Sequence, residues 1–293
     1  MKQCQKILYR NGTAYVTPDG IKFVKGDNPE CMNSIRLDFK RIKIIDSISR
    51  NEYGFEVIFT PKGIKSDFVE FILHTSDDLL DDFNHATHFQ LVVNKITALG
   101  YLLTGWKTPT EAKAVVIRNR HLGQYQNGKS LLAKAVGMIR DLDSSNNWDE
   151  YGFQDMNPNA DVILIDDVDR NFKFQSLFTA ITNDLVICRK NQPEVVVPWV
   201  DSPKFVLTTN DHIKGANEGS AKRRIAYVDV SGHYSPAHTP IDGFGHLMFK
   251  DWDKYQWQLL DNFMMECIMW YFRSFNNNWG GPGLGIVPPP EKV

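Results

Sequence analysis

From Lys6 to His74 β-forming residues dominate, and Phe55, Val57 and Phe59 alternate with Glu56 and Thr60. A period of two marks a half-buried strand. Turn signals interrupt it at Asn11-Gly12, Asp19-Gly20, Tyr53-Gly54 and Pro61-Lys62-Gly63, so the segment predicts a small antiparallel β-domain. Ser76 is placed to cap a helix opening at Asp77-Asp78, where carboxylates suit the positive end. A second helical stretch, Phe89 to Leu99, is expected to stop at Gly100.

Past the break at Lys107-Thr108-Pro109-Thr110 the rhythm changes. Continuous apolar runs at Ala114 to Ile117, Val162 to Ile165 and Phe205 to Leu207 predict strands buried on both faces. Between them, Leu132, Ala135, Val136 and Ile139 form one helical stripe, and Phe174, Leu177, Phe178 and Ile181 another. The stretch from Asp141 to Asn159 is polar and reads as loop around Ser144-Ser145-Asn146-Asn147. Leu185-Val186-Ile187 and Val195-Val196-Val197 flank Arg189-Lys190-Asn191-Gln192 as a hairpin. Strands alternating with helices imply an α/β fold, a parallel sheet with helices on both faces and ligands at the strands' carboxyl ends. The expected organisation is a β-rich N-terminal domain over 1–75, a helical collar over 76–109, a nucleotide-binding core over 110–235, and a C-terminal helical segment with a flexible tail over 236–293.

Composition narrows the class without choosing a function. At 293 residues and 42% hydrophobic content the chain can build one large or two medium domains. A net charge of −2 leaves no globally basic surface, so nucleic-acid contact would be confined to a groove or pore. Cys4, Cys31, Cys188 and Cys267 form no C-x-x-C pair, which argues for reduced thiols and a cytoplasmic location in a bacterial or host cell. No signal core opens the sequence, and the apolar stretch Phe263 to Phe272 contains Glu266 and is too short for a bilayer, so no membrane partner is expected. Asn11-Gly12-Thr13, a formal glycosylation sequon, is better explained as a turn.

The most specific chemistry lies where the Ala114 to Ile117 strand meets the Leu132 helix. Gly123-Gln124-Tyr125-Gln126-Asn127-Gly128-Lys129-Ser130, with Leu131 opening the helix, has the spacing of a P-loop. Glycines let successive backbone N–H groups face phosphates, and the helix adds its positive dipole end. Lys129 supplies a mobile charge for the phosphates of ATP, and Ser130 a hydroxyl for Mg2+. The next central strand ends in Asp166-Asp167, 36 positions beyond Ser130, which leaves room for the helix and one return crossover. Asp166 would hold Mg2+ directly or through water, and Asp167 would polarise the attacking water. Asn210, closing the strand Lys204 to Thr208, is placed as a nucleotide-sensing amide, although asparagines there also serve simply as turn formers. Lys222-Arg223-Arg224 precedes a strand from Ile225 to Val230. An arginine there would complete a neighbouring copy's site, with a solvated basic turn as the alternative.

This set, in this order, resembles the superfamily 3 helicases, AAA+ replicative ATPases of small DNA viruses, phages and plasmids that include the helicase half of primase-helicases. The resemblance covers Ala114 to Val230 and rests on the P-loop, Ile165-Asp166-Asp167, the hairpin around Lys190, and Thr208-Thr209-Asn210. The resemblance implies a ring-forming homo-oligomer, a hexamer, with Arg224 as the finger arginine and Arg223 in reserve. It further implies that Lys190 contacts single-stranded or forked DNA, and that a primase or polymerase is a partner. Phe249 to Asp253 and the stripe Leu260, Phe263, Met264, Cys267, Ile268 and Tyr271 are similar to the family's lid segment, and equally to a core helix. No primase half is seen, and His85-Ala86-Thr87-His88 lacks a nickase pattern. Gly280-Gly281-Pro282-Gly283 and Pro288-Pro289-Pro290 read as a flexible end or the start of a linker.

The expected activity is therefore an ATP-driven DNA helicase. Its rival is a nucleotide-switched initiator or assembly factor that oligomerises on DNA without unwinding it. A small-molecule kinase is a third reading, for which no acceptor motif is seen.

Overall fold

The computed structural model describes residues 3–27, 38–52, 54–77, 85–121, 127–144, 153–213 and 219–275. Its first element is a three-stranded antiparallel meander of β1 (Gln5–Tyr9), β2 (Gly12–Thr17) and β3 (Gly20–Lys25). Burial alternates along β1 and β2: Ile7, Tyr9, Ala14 and Val16 are buried while their neighbours face out. Asn11 lies in the two-residue turn that joins Tyr9 to Gly12, and its carboxamide exchanges hydrogen bonds with the Phe39 backbone at 2.9 and 3.2 Å. A second hairpin pairs β4 (Ile45–Asn51) with β5 (Gly54–Phe59).

Helices α1 (Asp67–His74) and α2 (His85–Leu103) follow. Helix α1 lies inside the stretch read as β. Ser66 caps it through the Val69 N–H, and Asp67 and Glu70 occupy its first turn. The Ser76 hydroxyl donates back to the Ile72 carbonyl at 2.7 Å, and the helix it was expected to cap, beyond Asp77, lies outside the described residues. Helix α2 does not stop at Gly100, because α7 (Lys254–Phe275) crosses it there. A Cβ on Gly100 would stand 2.2 Å from the Cys267 carbonyl oxygen, so this glycine serves close helix approach instead of termination.

The core sheet contains β6 (Ala114–Asn119), β7 (Leu142–Ser144), β8 (Val162–Val168), β11 (Lys204–Thr209) and β12 (Ile225–Val230). All pairings are parallel, in the order β12-β6-β11-β8-β7. Edge strand β7 falls in the polar stretch read as loop. It pairs with β8 through backbone groups, which need no apolar run. Helix α3 (Lys129–Val136) follows β6. A 3-10 turn, Phe174–Leu177, leads into α4 (Phe178–Thr182), splitting what the periodicity read as one helix. The hairpin β9 (Leu185–Ile187) and β10 (Val195–Val197) forms where expected. Two short helices, α5 (Gly219–Lys222) and α6 (Pro240–Phe244), flank β12 in the chain.

Alternate residues of the central strands feed two cores, which is why their sequences are continuously apolar. Val115, Ile117, Leu164, Val206 and Val228 join α2, α3, α7 and the N-terminal strands in one cluster. Val116, Ile163, Ile165, Phe205 and Leu207 join the 3-10 turn, α4 and the hairpin in the other. The N-terminal strands thus share a core with one face of the parallel sheet. Two buried lysines brace this assembly. The Lys204 ammonium donates to the Tyr101, Thr104 and Trp106 carbonyls and so satisfies the carboxyl end of α2. The Lys95 ammonium donates to the Thr75 and Asp229 carbonyls and to Ser76 Oγ. Among the described residues, no helix is long and apolar enough to cross a membrane.

Candidate nucleotide-binding site

Parallel pairing puts the carboxyl ends of β6, β11 and β8 side by side, with β11 in the middle. Helix α3 starts just beyond this edge at Gly128, whose φ of 91° is left-handed and whose Cβ, if present, would meet the Phe71 ring of α1 at 2.7 Å. Gly128 offers no capping side chain, and the first bond within the helix runs from the Leu132 N–H to the Gly128 carbonyl. The N–H groups of Lys129, Ser130 and Leu131 precede that bond, at the positive end where an anion is favoured.

Lys129 is 7% exposed, and among the described residues its ammonium donates to three neutral carboxamide oxygens. These are Asn119 Oδ1 at 2.7 Å, Asn127 Oδ1 at 3.0 Å and Asn210 Oδ1 at 2.7 Å. Burial lowers its pKa to about 8, against the opposing pull of Asp167 and Asp166. A buried ammonium whose hydrogen bonds, among the described residues, go to neutral amides suits an incoming polyanion, which would favour the charged form. Asn210 then turns its other end to Asp167: Nδ2 donates to Oδ1 at 2.8 Å. One amide therefore spans the distance between ammonium and carboxylate.

The two aspartates owe their placement to a bulge. Leu207 pairs with Ile165 and Thr209 with Val168, so Asp166 and Asp167 together oppose Thr208. Asp167 takes a left-handed φ of 56°, uncommon outside glycine and tolerated by aspartate. In a regular strand the two carboxylates would point to opposite faces. The Thr208 hydroxyl stabilises the kink, accepting from the Asp167 N–H at 2.7 Å and donating to Asp166 Oδ1 at 2.5 Å. Ser130 Oγ donates to the same Asp166 oxygen at 2.7 Å. A hydroxyl and a carboxylate in contact, both hard oxygen donors, fit Mg2+.

The structure thus gathers Asn127, Lys129, Ser130, Asp166, Asp167 and Asn210. Gly123, Gln124, Tyr125 and Gln126 lie outside the described residues. Arg223 and Arg224 are elsewhere, at the amino end of β12, where the Arg224 carbonyl accepts from the Ala114 N–H at the start of β6. A strand of six residues puts them roughly 17–20 Å from the phosphate-binding edge. Arg224 Nη1 donates to the Ser220 carbonyl, and its guanidinium lies 4.8 Å from the Phe178 ring centroid. Lys190 is exposed at the hairpin turn, next to Arg189, whose guanidinium is anchored on the Gln154 and Met156 carbonyls. Asn119 and Thr208 were missed by sequence reasoning. Both sit at strand tips, and an amide or hydroxyl there carries no spacing signature.

No family model matches the chain, and no curated protein matches it. Among solved structures, the A form apo structure of the NrS-1 C-terminal region is similar over 91% of this chain and 66% of that one, at 14% identity and a TM-score of 0.44. A second apo structure of that region matches at 12% identity over 90% and 65%, with a TM-score of 0.41. A ligand-bound JCV helicase matches at 9% identity over 63% and 55%, with a TM-score of 0.33. The chain spans less than two thirds of the length of each of these structures.

Proposed function

We propose that this chain is an ATP hydrolase that moves along single-stranded or forked DNA as a hexameric ring, with each ATP held between two copies. The observation that carries the reading is the Asn210 amide joining Lys129 to Asp167 beside the Ser130–Asp166 pair. Lys129 and the α3 N–H groups bind the phosphates. Ser130 and Asp166 hold Mg2+, which neutralises charge on the phosphates when bound. Asp167 accepts a proton from the attacking water, and Asn210 keeps that carboxylate in register with the lysine. Arg224 lies too far from this edge to serve its own site, which supports its use in a neighbouring copy, with Arg223 as the reserve. There it would contribute roughly three to five decades in rate. The exposed Lys190 hairpin grips DNA phosphates, as a salt-sensitive contact that reads no bases. Residues 1–109 supply the collar and a surface for a primase or polymerase.

Lys129→Ala is expected to abolish ATP turnover, and wild-type turnover in that variant would remove the proposal. Strand displacement on a forked duplex separates motor from switch. Unwinding that needs ATP supports the motor, whereas ATP-dependent retention on DNA without unwinding supports the assembly factor.

A further inference from the structure

The N-terminal meander has an outward face that the nucleotide site does not use. Its inward residues are consumed by the core, where Tyr9 and Phe23 pack on Phe39. On the outer side, register places Lys6, Tyr15 and Lys22 in one row across the three strands, and Leu8, Thr13 and Val24 in the next. Lys6 Nζ stands 5.7 Å from the Tyr15 ring centroid, and Lys22 is exposed on the far side. Leu8 and Val24 are 51% and 46% exposed and flank Thr13. Arg10 and Lys25, both exposed, add charge at one end of the sheet.

None of the three strands contains an aspartate or glutamate. Asp19 and Asp27 lie beyond the strand ends, and Asp19 is faced by Arg273, which donates to the neighbouring Pro18 carbonyl. In a chain of net charge −2, two sheet rows whose charged side chains are all cations, set beside an aromatic ring, the Thr13 hydroxyl and two aliphatic side chains, are a local exception. Its chemistry complements one class of ligand. Lysines flanking a ring provide phosphate contacts on either side of a stacking surface, and exposed aliphatic groups accept further base faces. A duplex hides its base faces, so the ligand is single-stranded. No amide or carboxylate stands in either row to read base edges, so recognition is tolerant of sequence.

We infer that the outer face of β1–β3, centred on Lys6, Tyr15 and Lys22, binds single-stranded nucleic acid. This site is distinct from the Lys190 hairpin, which packs on the opposite face of the parallel sheet. It stands whether or not the chain is a motor.

The test uses the full chain carrying Lys190→Ala and no added nucleotide, so that the hairpin does not contribute. Fluorescence anisotropy follows labelled oligodeoxyuridylate and oligouridylate about 15 nucleotides long, with a duplex of equal length as control. Binding of either single strand above the duplex is expected, and the tighter oligomer identifies the sugar. Lys6→Thr with Tyr15→Thr and Lys22→Thr keeps β-formers at outward positions and is expected to weaken binding at least about tenfold with an unchanged melting temperature. Lys6→Thr with Lys22→Thr alone should reduce the slope of log affinity against log salt by about 1.4. Equal affinity of the triple variant and its parent, no binding by the parent, or equal binding of duplex would each overturn the assignment.

Discussion

Replacing Thr208 by valine removes one hydroxyl from beneath the paired aspartates while keeping the side-chain volume and the preference for strand. The residue is 1% exposed, and its Oγ1 meets both the Asp167 N–H and Asp166 Oδ1. A hydrogen bond to a charged group contributes about 1.5–3 kcal/mol. Loss of the acceptor for a half-exposed N–H adds about 1 kcal/mol of destabilisation, without any change in packing. If the aim of the two carboxylates matters chiefly in the transition state, a loss of about 2 kcal/mol slows turnover roughly 30-fold while KM for ATP stays within about twofold. Steady-state phosphate release at saturating ATP reads the first quantity, and its concentration dependence the second. Thr208→Ser restores the hydroxyl and should restore most of the rate. A valine variant that turns over ATP as fast as wild type would show that the bulge does not need this side chain, and the account of how Asp166 and Asp167 are placed would fall.

Three further outcomes are expected. Mixing Arg224→Ala with Lys129→Ala copies should recover some ATP turnover, because intact halves meet at some interfaces; no recovery at any ratio would argue against a shared site. Gly100→Ala gains helix propensity but forces a Cβ to 2.2 Å from the Cys267 carbonyl oxygen, so a net loss of about 1–3 kcal/mol is expected in urea denaturation, and a variant as stable as wild type would contradict the close crossing. Lys95 is fully buried and its pKa falls from 10.5 to about 7, chiefly through burial. Between those values the unfolded chain holds a proton that the folded chain releases, so this group's contribution to stability grows as pH rises through the window and is lost as pH falls through about 7. The free energy of unfolding of wild type relative to Lys95→Met should therefore rise with pH by up to about 1 kcal/mol per unit, and a difference independent of pH would refute the lowered pKa.

Much of the fold was legible because its signals are local. Alternating burial at Phe55 and Val57 and continuous burial from Val162 to Ile165 follow directly from where successive side chains point. The misreadings share a cause, which is that a distant partner outweighed a local preference. Gly100 reads as a helix stop until α7 is seen lying against it, and β7 has no apolar run because β8 supplies its pairing. Helix α1 was obscured by Phe68, Val69, Phe71 and Ile72, which are strand formers by propensity but are buried as a helical face.

For the candidate site the division is similar. The sequence by itself determined which groups were available, since the strand, turn and helix order around Gly128, Lys129 and Ser130 and the acidic end of the Val162 strand are all contiguous. Which of these groups meet depends on strand order and register. Inserting β11 between β6 and β8 brings Asn210 to both Lys129 and Asp167, the bulge opposite Thr208 turns the second aspartate, and Asn119 enters the lysine's shell from the neighbouring strand tip. Strand order and register join residues far apart in the chain, and backbone periodicity, which reaches only a few residues, does not encode them.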